Sequence, residues 1–442
     1  MIQNSIDFNS YARRLSEASP VMRTGRVTHV AGLVVQSDGP SVPIGDVCYI
    51  NLKDGLEPVP AEVVGFKDKK LLLMPIGEIE RIGLGNKVIA SGKPLLITVG
   101  MNLLGRVVGG LGIPIDGKGP IKGEEAVSVY NSPPDPLRRD RIHKPLGTGI
   151  RAIDGLLTFG AGQRLGIFAG SGVGKSTLMG MIARNSSADV NVIALIGERG
   201  REVREFIEKS LKEEGLKKSV VVSVTSDKPA LLRVKGAYIA SRIAEYFRDK
   251  GLQVLLMMDS VTRFASAQRE IGLAIGEPPT SKGYTPSVFA LLPKLLERSG
   301  TGLRGSITGL YTVLVDGDDM NEPVSDAVRG ILDGHVVLSR KLAAQNHFPA
   351  IDVLESVSRC MDDIVSQEHK NAAQKLKTVY ATYKESEDMI HIGAYTKGNS
   401  KKIDFAISSI ETIENYLKQD LAEDCGFTDS LEKLKHLLPD RE

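Results

Sequence analysis

The segment that most constrains this chain runs Leu165-Gly166-Ile167-Phe168-Ala169-Gly170-Ser171-Gly172-Val173-Gly174-Lys175-Ser176-Thr177. An apolar run, three alternate glycines and a helix-compatible stretch opening on Lys-Ser-Thr give the order strand, turn, helix. Such a turn lets backbone N–H groups wrap phosphate oxygens at a distance that side chains would block. The following helix adds roughly half a positive charge at its first turn. In this pattern Lys175 reaches the β- and γ-phosphates and Ser176 ligates Mg2+, while Gly170, Ser171, Gly172, Val173, Gly174 and Thr177 complete the cradle. One position departs from the strict G-x-x-x-x-G-K-[ST] pattern: Ala169 stands where the first glycine is expected.

The sequence around this segment agrees with an α/β domain. Apolar strands at 165–169, 190–196, 220–224, 254–259, 307–314 and 336–338 alternate with helical stretches. Nearly continuous apolar strands of this kind predict a parallel sheet buried on both faces. Ligands of open α/β sheets sit beyond the carboxyl ends of the strands. Val254-Leu255-Leu256-Met257-Met258-Asp259 places Asp259 there, well downstream of Lys175, as the carboxylate that supports the metal. Ile193-Ala194-Leu195-Ile196-Gly197-Glu198 places Glu198 at the end of the strand that follows the phosphate loop, suited to orienting an attacking water. An ion pair with Arg199 or Arg201 is the other reading of Glu198. Arg263 and Arg359 are both candidates to stabilise charge on the γ-phosphate, and spacing does not choose between them.

The flanks differ in texture. Phe8, Tyr11, Ala12 and Leu15 fall on one seam of a short amphipathic helix, which needs a partner surface, its own domain or another protein. Between residues 25 and 98, short β-rich runs (26–35, 47–52, 61–66, 71–74) separated by Gly, Pro, Asp and Asn predict a small antiparallel sandwich or barrel. Residues 114–120 and 132–136 form a stiff Pro- and Gly-rich connector. Past residue 362 the strands end. Helical spacing then groups Ile364, Leu376, Val379 and Tyr383, next Ile403, Ile407, Ile410 and Leu417, and last Leu431, Leu434 and Leu438.

Charge and cysteine usage exclude several classes. A net charge of +2 over 442 residues speaks against a nucleic-acid coat, although over positions 411–442 acids outnumber bases nine to four. Cys48, Cys360 and Cys425 lie far apart, which excludes a disulfide framework or zinc knuckle and fits a reducing cytoplasm. No uninterrupted stretch of ~18 apolar residues predicts a membrane span.

The residues also carry a family resemblance. Gly197-Glu198-Arg199-Gly200-Arg201-Glu202, Asp259-Ser260-Val261-Thr262-Arg263-Phe264 and residues 349–359 resemble the rotary ATP synthase α/β superfamily. Residues 168–176, Ala267-Gln268-Arg269-Glu270, Gly276-Glu277-Pro278-Pro279 and Ile331-Leu332-Asp333-Gly334-His335 resemble, within it, the type III protein-export ATPases, flagellar ones above all. The resemblance runs from about Gly25 to Gly398. It implies a RecA-like P-loop NTPase core with an N-terminal small β-barrel and a C-terminal helical domain. The expected division is 1–23 partner-binding helix, 24–97 barrel, 98–361 ATPase domain and 362–442 helical domain.

Further implications follow from the resemblance alone. ATP and Mg2+ would bind at each boundary of a homohexameric ring, with Lys175, Ser176 and Asp259 on phosphate and metal and Glu198 as the catalytic glutamate. Arg359 would reach a neighbour's nucleotide, and Phe348 would stack on adenine unless it is a core aromatic. The implied partners are a stator-like regulator at the amino terminus, a central stalk protein, export-gate membrane proteins and chaperone–cargo complexes, with no nucleic acid. The implied location is cytoplasmic, peripheral at the inner face of the cytoplasmic membrane.

Two branches are open within the resemblance, flagellar export and the injectisome. A synthase catalytic subunit is disfavoured, because Gly393-Ala394-Tyr395-Thr396-Lys397-Gly398-Asn399-Ser400-Lys401-Lys402 has three lysines and no acid where such subunits carry an acidic lever. A non-catalytic ring subunit would be expected to lack Glu198. An RNA-translocating ring would need a basic, aromatic-bearing amino-terminal platform that residues 1–98 do not supply.

Overall fold

The computed structural model describes residue 8 and residues 22–438, except 53–55, 78, 316 and 318. Apart from Phe8, the expected amino-terminal helix lies outside the described residues. The chain divides after Leu95 into two compact units.

The first unit is a closed barrel. Its strands are β1 (Thr24–Ala31), β2 (Val34–Asp38), β3 (Asp46–Ile50), β4 (Val59–Lys67), β5 (Lys70–Pro75) and β6 (Lys87–Pro94), in the order β1-β2-β5-β4-β3-β6. All its pairs are antiparallel, and Val27, Val35, Cys48, Ile50, Val63, Leu73 and Val88 fill the interior. The sandwich-or-barrel alternative thus resolves to a barrel. The 26–35 run, read as one stretch, is a hairpin turned at Gly32-Leu33, where β1 and β2 pair. Strand β6 had no separate signal, because lysines and a Gly-Lys-Pro stretch interrupt its apolar residues.

The second unit is built on a nine-stranded sheet. Its strands are β7 (Val107–Val108), β8 (Arg164–Ala169), β9 (Val190–Glu198), β10 (Ser219–Thr225), β11 (Gln253–Asp259), β12 (Gly300–Thr301), β13 (Ser306–Leu314), β14 (Gly334–Leu338) and β15 (Ile351–Ser358). Across the sheet they run β15-β14-β8-β13-β11-β9-β10-β7, with β12 paired to β13. All six strands expected here are present and mutually parallel. Strands β12 and β15 are antiparallel and were not anticipated as strands. β15 is an edge strand, and its Ile351 and Val353 are buried while Leu354, Glu355 and Val357 are exposed. One covered face gives it no continuous apolar run to read.

Helices cover the sheet. Those that place the site are α1 (Arg151–Leu156), α2 (Lys175–Asn185), α3 (Gly200–Glu205), α4 (Ala230–Asp249) and α5 (Val261–Ile275). The carboxyl region forms α6 (Gln367–His391), α7 (Lys401–Leu417) and α8 (Phe427–Lys435), which hold the three expected groups except Ile364 and Leu438, the latter lying past the end of α8. Ile364 belongs to a separate short helix, Met361–Ile364. One core joins Leu165, Ile167, Leu178 and Ile182 of the sheet side to Leu376, Tyr380, Ile413 and Leu434 of these helices. All three cysteines are free. Among the described residues no helix is long and apolar enough to cross a membrane.

Candidate active site

The phosphate loop follows from its local sequence. Gly174 caps α2 at φ +91°, and Gly172 sits at φ +80°, a left-handed region that side-chain-bearing residues avoid. Ala169 is different. It is the last residue of β8, paired with Leu314 on one side and Leu338 on the other. An extended strand residue needs no glycine, so the departure from the motif costs nothing here. Ser171 and Ser176 are exposed, Gly170 and Val173 are buried, and Thr177 is half-buried.

Two carboxylates converge on Lys175. Its Nζ donates to Asp259 Oδ1 at 2.5 Å and lies 3.9 Å from Glu198 Oε1. Asp259 ends β11 as expected and is buried. Glu198 ends β9 after a bulge between Ile196 and Glu198, where the pairing with β10 slips. Gly197 makes that bulge at φ +71°, and a Cβ there would stand 2.9 Å from the Cβ of Arg263. Bulges re-aim side chains beside active sites. This one swings Glu198 toward Lys175. Burial, then the neighbouring Asp259 charge, pushes the Glu198 carboxyl up to about 7 against the opposing pull of Lys175. The alternative ion pairs do not form: Arg199 pairs with Glu202 and Arg201 with Glu205.

The donor set fits Mg2+ carried by a nucleotide. Among the described residues no group of three or more His, Cys, Asp and Glu could hold a metal ion by itself. One buried carboxylate beside one exposed hydroxyl, Asp259 and Ser176, is what Mg2+ uses when it keeps waters and takes the rest of its ligands from phosphates. The Lys175 ammonium on Asp259 marks this spot as one that accepts positive charge.

The arginines separate. Arg263 is exposed on α5, and its stem abuts Gly197 next to Glu198. Arg359 follows β15, which runs antiparallel to β14 with Leu338 opposite Ile351 and Gly334 opposite Ser358. Its N–H donates to Asp333 O at 3.0 Å. Arg359 therefore sits exposed at the amino-terminal end of the parallel strands, level with Arg164. At ~3.3 Å per residue that level is ~20 Å below Gly170, where the chain's own phosphate loop starts.

Phe348 is with the loop. It is 40% exposed and would lie 3.6 Å from a Cβ on Gly174. Together with Gly174, Thr177 and Met181 it lines a cavity of ≈ 450 Å³ whose far wall is Lys418, Gln419, Asp420 and Leu421. That wall is fastened from several sides. Gln419 Nε2 donates to Gly149 O at 2.7 Å, its Oε1 accepts from Arg151 N at 2.9 Å, and its N–H donates to Phe348 O at 2.9 Å. Arg151 binds the same turn through the Tyr416 and Lys418 carbonyls and Glu423. Sequence reading missed these residues. Nothing local marks a turn so distant along the chain from Phe348 as part of its pocket.

A phosphate loop on β8 with carboxylates at the ends of β9 and β11 defines a RecA-like P-loop nucleotide hydrolase. Residues 149–358 match the nucleotide-binding domain of the ATP synthase alpha/beta family, and residues 27–92 its beta-barrel domain. Residues 365–436 match the T3SS EscN ATPase C-terminal domain. The chain is 56% identical to the flagellum-specific ATP synthase of Bacillus subtilis strain 168, covering 95% of this chain and 96% of that one. It is 51% identical to the type 3 secretion system ATPase of Xanthomonas euvesicatoria, covering 97% of each. The structure of the assembled ATPase EscN from the enteropathogenic E. coli type III secretion system matches with a TM-score of 0.88 at 46% identity, covering 93% of this chain and 99% of that one. EscN in complex with its central stalk EscO matches with a TM-score of 0.87. The chain belongs to the ATP synthase alpha/beta family, within its flagellar and type III secretion branch, and is an ATPase.

Proposed function

We propose that this chain hydrolyses Mg-ATP at sites shared between subunits of a homohexameric ring, and that turnover energises protein export through a flagellar type III apparatus. The observation that carries the site assignment is the meeting of Lys175, Glu198 and Asp259 at the end of the sheet where the phosphate loop opens. Backbone N–H groups of 170–175 hold the phosphates, Lys175 moves from Asp259 to the β- and γ-phosphates, and Glu198 orients water for in-line attack. Ser176 and Asp259 would hold Mg2+, which would supply charge neutralisation on the transferring phosphoryl group. Phe348 stacks on the base.

Arg359 completes a neighbour's site. Its position at the far end of its own sheet supports action in trans. Glu198→Gln is expected to bind ATP yet hydrolyse almost none, and near-normal turnover would remove the catalytic assignment. Mixing inactive Lys175→Ala with inactive Arg359→Ala chains should restore part of the activity. No recovery at any ratio would overturn the shared site.

The partner and location assignments rest on the family resemblance. A central stalk in the ring is supported by the EscN–EscO complex. A stator-like regulator at the amino terminus, export-gate membrane proteins, chaperone–cargo complexes and a place at the inner face of the cytoplasmic membrane belong to the same reading. Flagellar use is favoured by the 56% identical relative, and the 51% identical secretion ATPase keeps the injectisome as the second reading. Loss of motility on deletion of the gene is the expected result; retained motility would favour the injectisome.

A further inference from the structure

Strand β13 lies between the strand that carries the phosphate loop and the strand that ends in Asp259. Ile167 of β8 pairs with Thr312, and Met258 of β11 pairs with the adjacent Tyr311. Every residue of β13 except Leu314 is buried. In a strand enclosed on both faces valine is the ordinary occupant of such a position, and a buried hydroxyl is costly unless it finds a partner. Thr312 has 0% exposure. Its Oγ1 donates to Asp259 Oδ1 at 2.7 Å, with a longer approach of 3.4 Å to Met258 O.

Asp259 Oδ1 thus takes two donors of different kinds. Lys175 sits on a flexible four-carbon stem and can leave for a phosphate. Thr312 sits on a central strand with a stiff β-branched side chain and cannot. We propose that Thr312 is a positioning residue for the metal-binding carboxylate: it anchors Oδ1 after Lys175 has moved, and leaves to the cation Oδ2, the oxygen with no hydrogen bond among the described residues. This rests on the assignment of Asp259 as the metal carboxylate proposed above. Hydrogen-bonding partners of ligating carboxylates fix their orientation, and losing one typically costs ~10–100-fold in metal affinity or activity.

The test uses the full chain saturated with ADP, with Mn2+ titrated in place of Mg2+ and followed by the loss of its free-ion electron paramagnetic resonance signal. Thr312→Val keeps the shape and removes the donor; Thr312→Ser keeps the donor. The valine variant should weaken Mn2+ binding by ~10–100-fold, and the serine variant should bind as the unmodified chain does. Should the valine variant not fold, Thr312→Ala gives the same comparison with serine. Equal Mn2+ affinity in the valine variant overturns the proposal. So does an equal loss in the serine variant, which would mark the effect as packing. Asp259→Asn separates the two layers. If it still binds Mn2+ normally, the metal reading of Asp259 fails and Thr312 falls with it. If it loses Mn2+ while the valine variant does not, only the role of Thr312 fails.

Discussion

Replacing Phe348 with alanine separates the two roles open to that ring, adenine platform and core aromatic. A phenylalanine side chain has ~150–250 Å² to bury, and this one is 40% exposed, which leaves ~80 Å² for a base to cover. At ~25 cal/mol per Å² full coverage is worth ~2 kcal/mol, and half coverage ~1 kcal/mol. Both values lie within the ~1–3 kcal/mol found for bases stacked on aromatic side chains. At about 1.4 kcal/mol per tenfold, ATP should bind ~5–30-fold more weakly. The ring faces the Gly174 end of the loop rather than Lys175 or Glu198, so the loss falls equally on ground and transition states. KM should therefore rise with kcat nearly unchanged. Steady-state kinetics in ATP, paired with titration of a ribose-labelled fluorescent nucleotide, reads both. Phe348→Tyr keeps the stacking face and should restore most of the affinity. A variant with unchanged KM and a melting temperature several degrees lower would refute the reasoning, because it would place the ring in the core.

Three further outcomes are expected. Gln419→Leu leaves the buried Gly149 carbonyl and Arg151 N–H unpaired, at about 1–3 kcal/mol each, and loosens the wall opposite Phe348; urea unfolding and KM for ATP should both shift, and a shift in neither would refute the clamp. In the nucleotide-free chain the raised Glu198 carboxyl binds a proton more tightly folded than unfolded, so its contribution is fully present below about pH 4.5 and is lost as pH rises through about 7. Glu198→Gln should therefore gain stability relative to the parent as pH rises from about 4.5 to about 7 in denaturant titrations, and keep that gain above it; parallel curves would contradict the burial of that carboxyl. Glu245 accepts from Arg298 Nε at 2.6 Å and Nη2 at 3.0 Å, with both side chains almost wholly buried. Glu245→Ala strands the Arg298 charge and should cost about 3–5 kcal/mol by urea unfolding, with a change under about 1 kcal/mol as the refuting result.

Legibility in the sequence followed the range of the physics involved. The phosphate loop is contiguous, so its strand, turn and helix could be read directly, and Ala169 is harmless because β8 ends on that residue. Asp259 and Glu198 were legible because buried parallel strands announce their own ends. Gly197 was visible as a residue but not as a bulge, since a one-residue slip against β10 depends on a partner strand that the chain reaches only after further helices. Thr312 was hidden by its shape: in an apolar strand threonine reads as valine, and only the pairing order shows that its hydroxyl meets a carboxylate. The Gln419 wall has no local signal at all. Arg359 is the instructive case. Spacing left it equal to Arg263, and what separates them is strand direction rather than distance along the chain. A β15 parallel to β14 would deliver Arg359 to the loop end of the sheet. The antiparallel pairing delivers it to the other end, away from the chain's own phosphate loop, so in the proposed reading its nucleotide comes from a second copy. The direction of one edge strand therefore makes oligomerisation a requirement of the proposed chemistry.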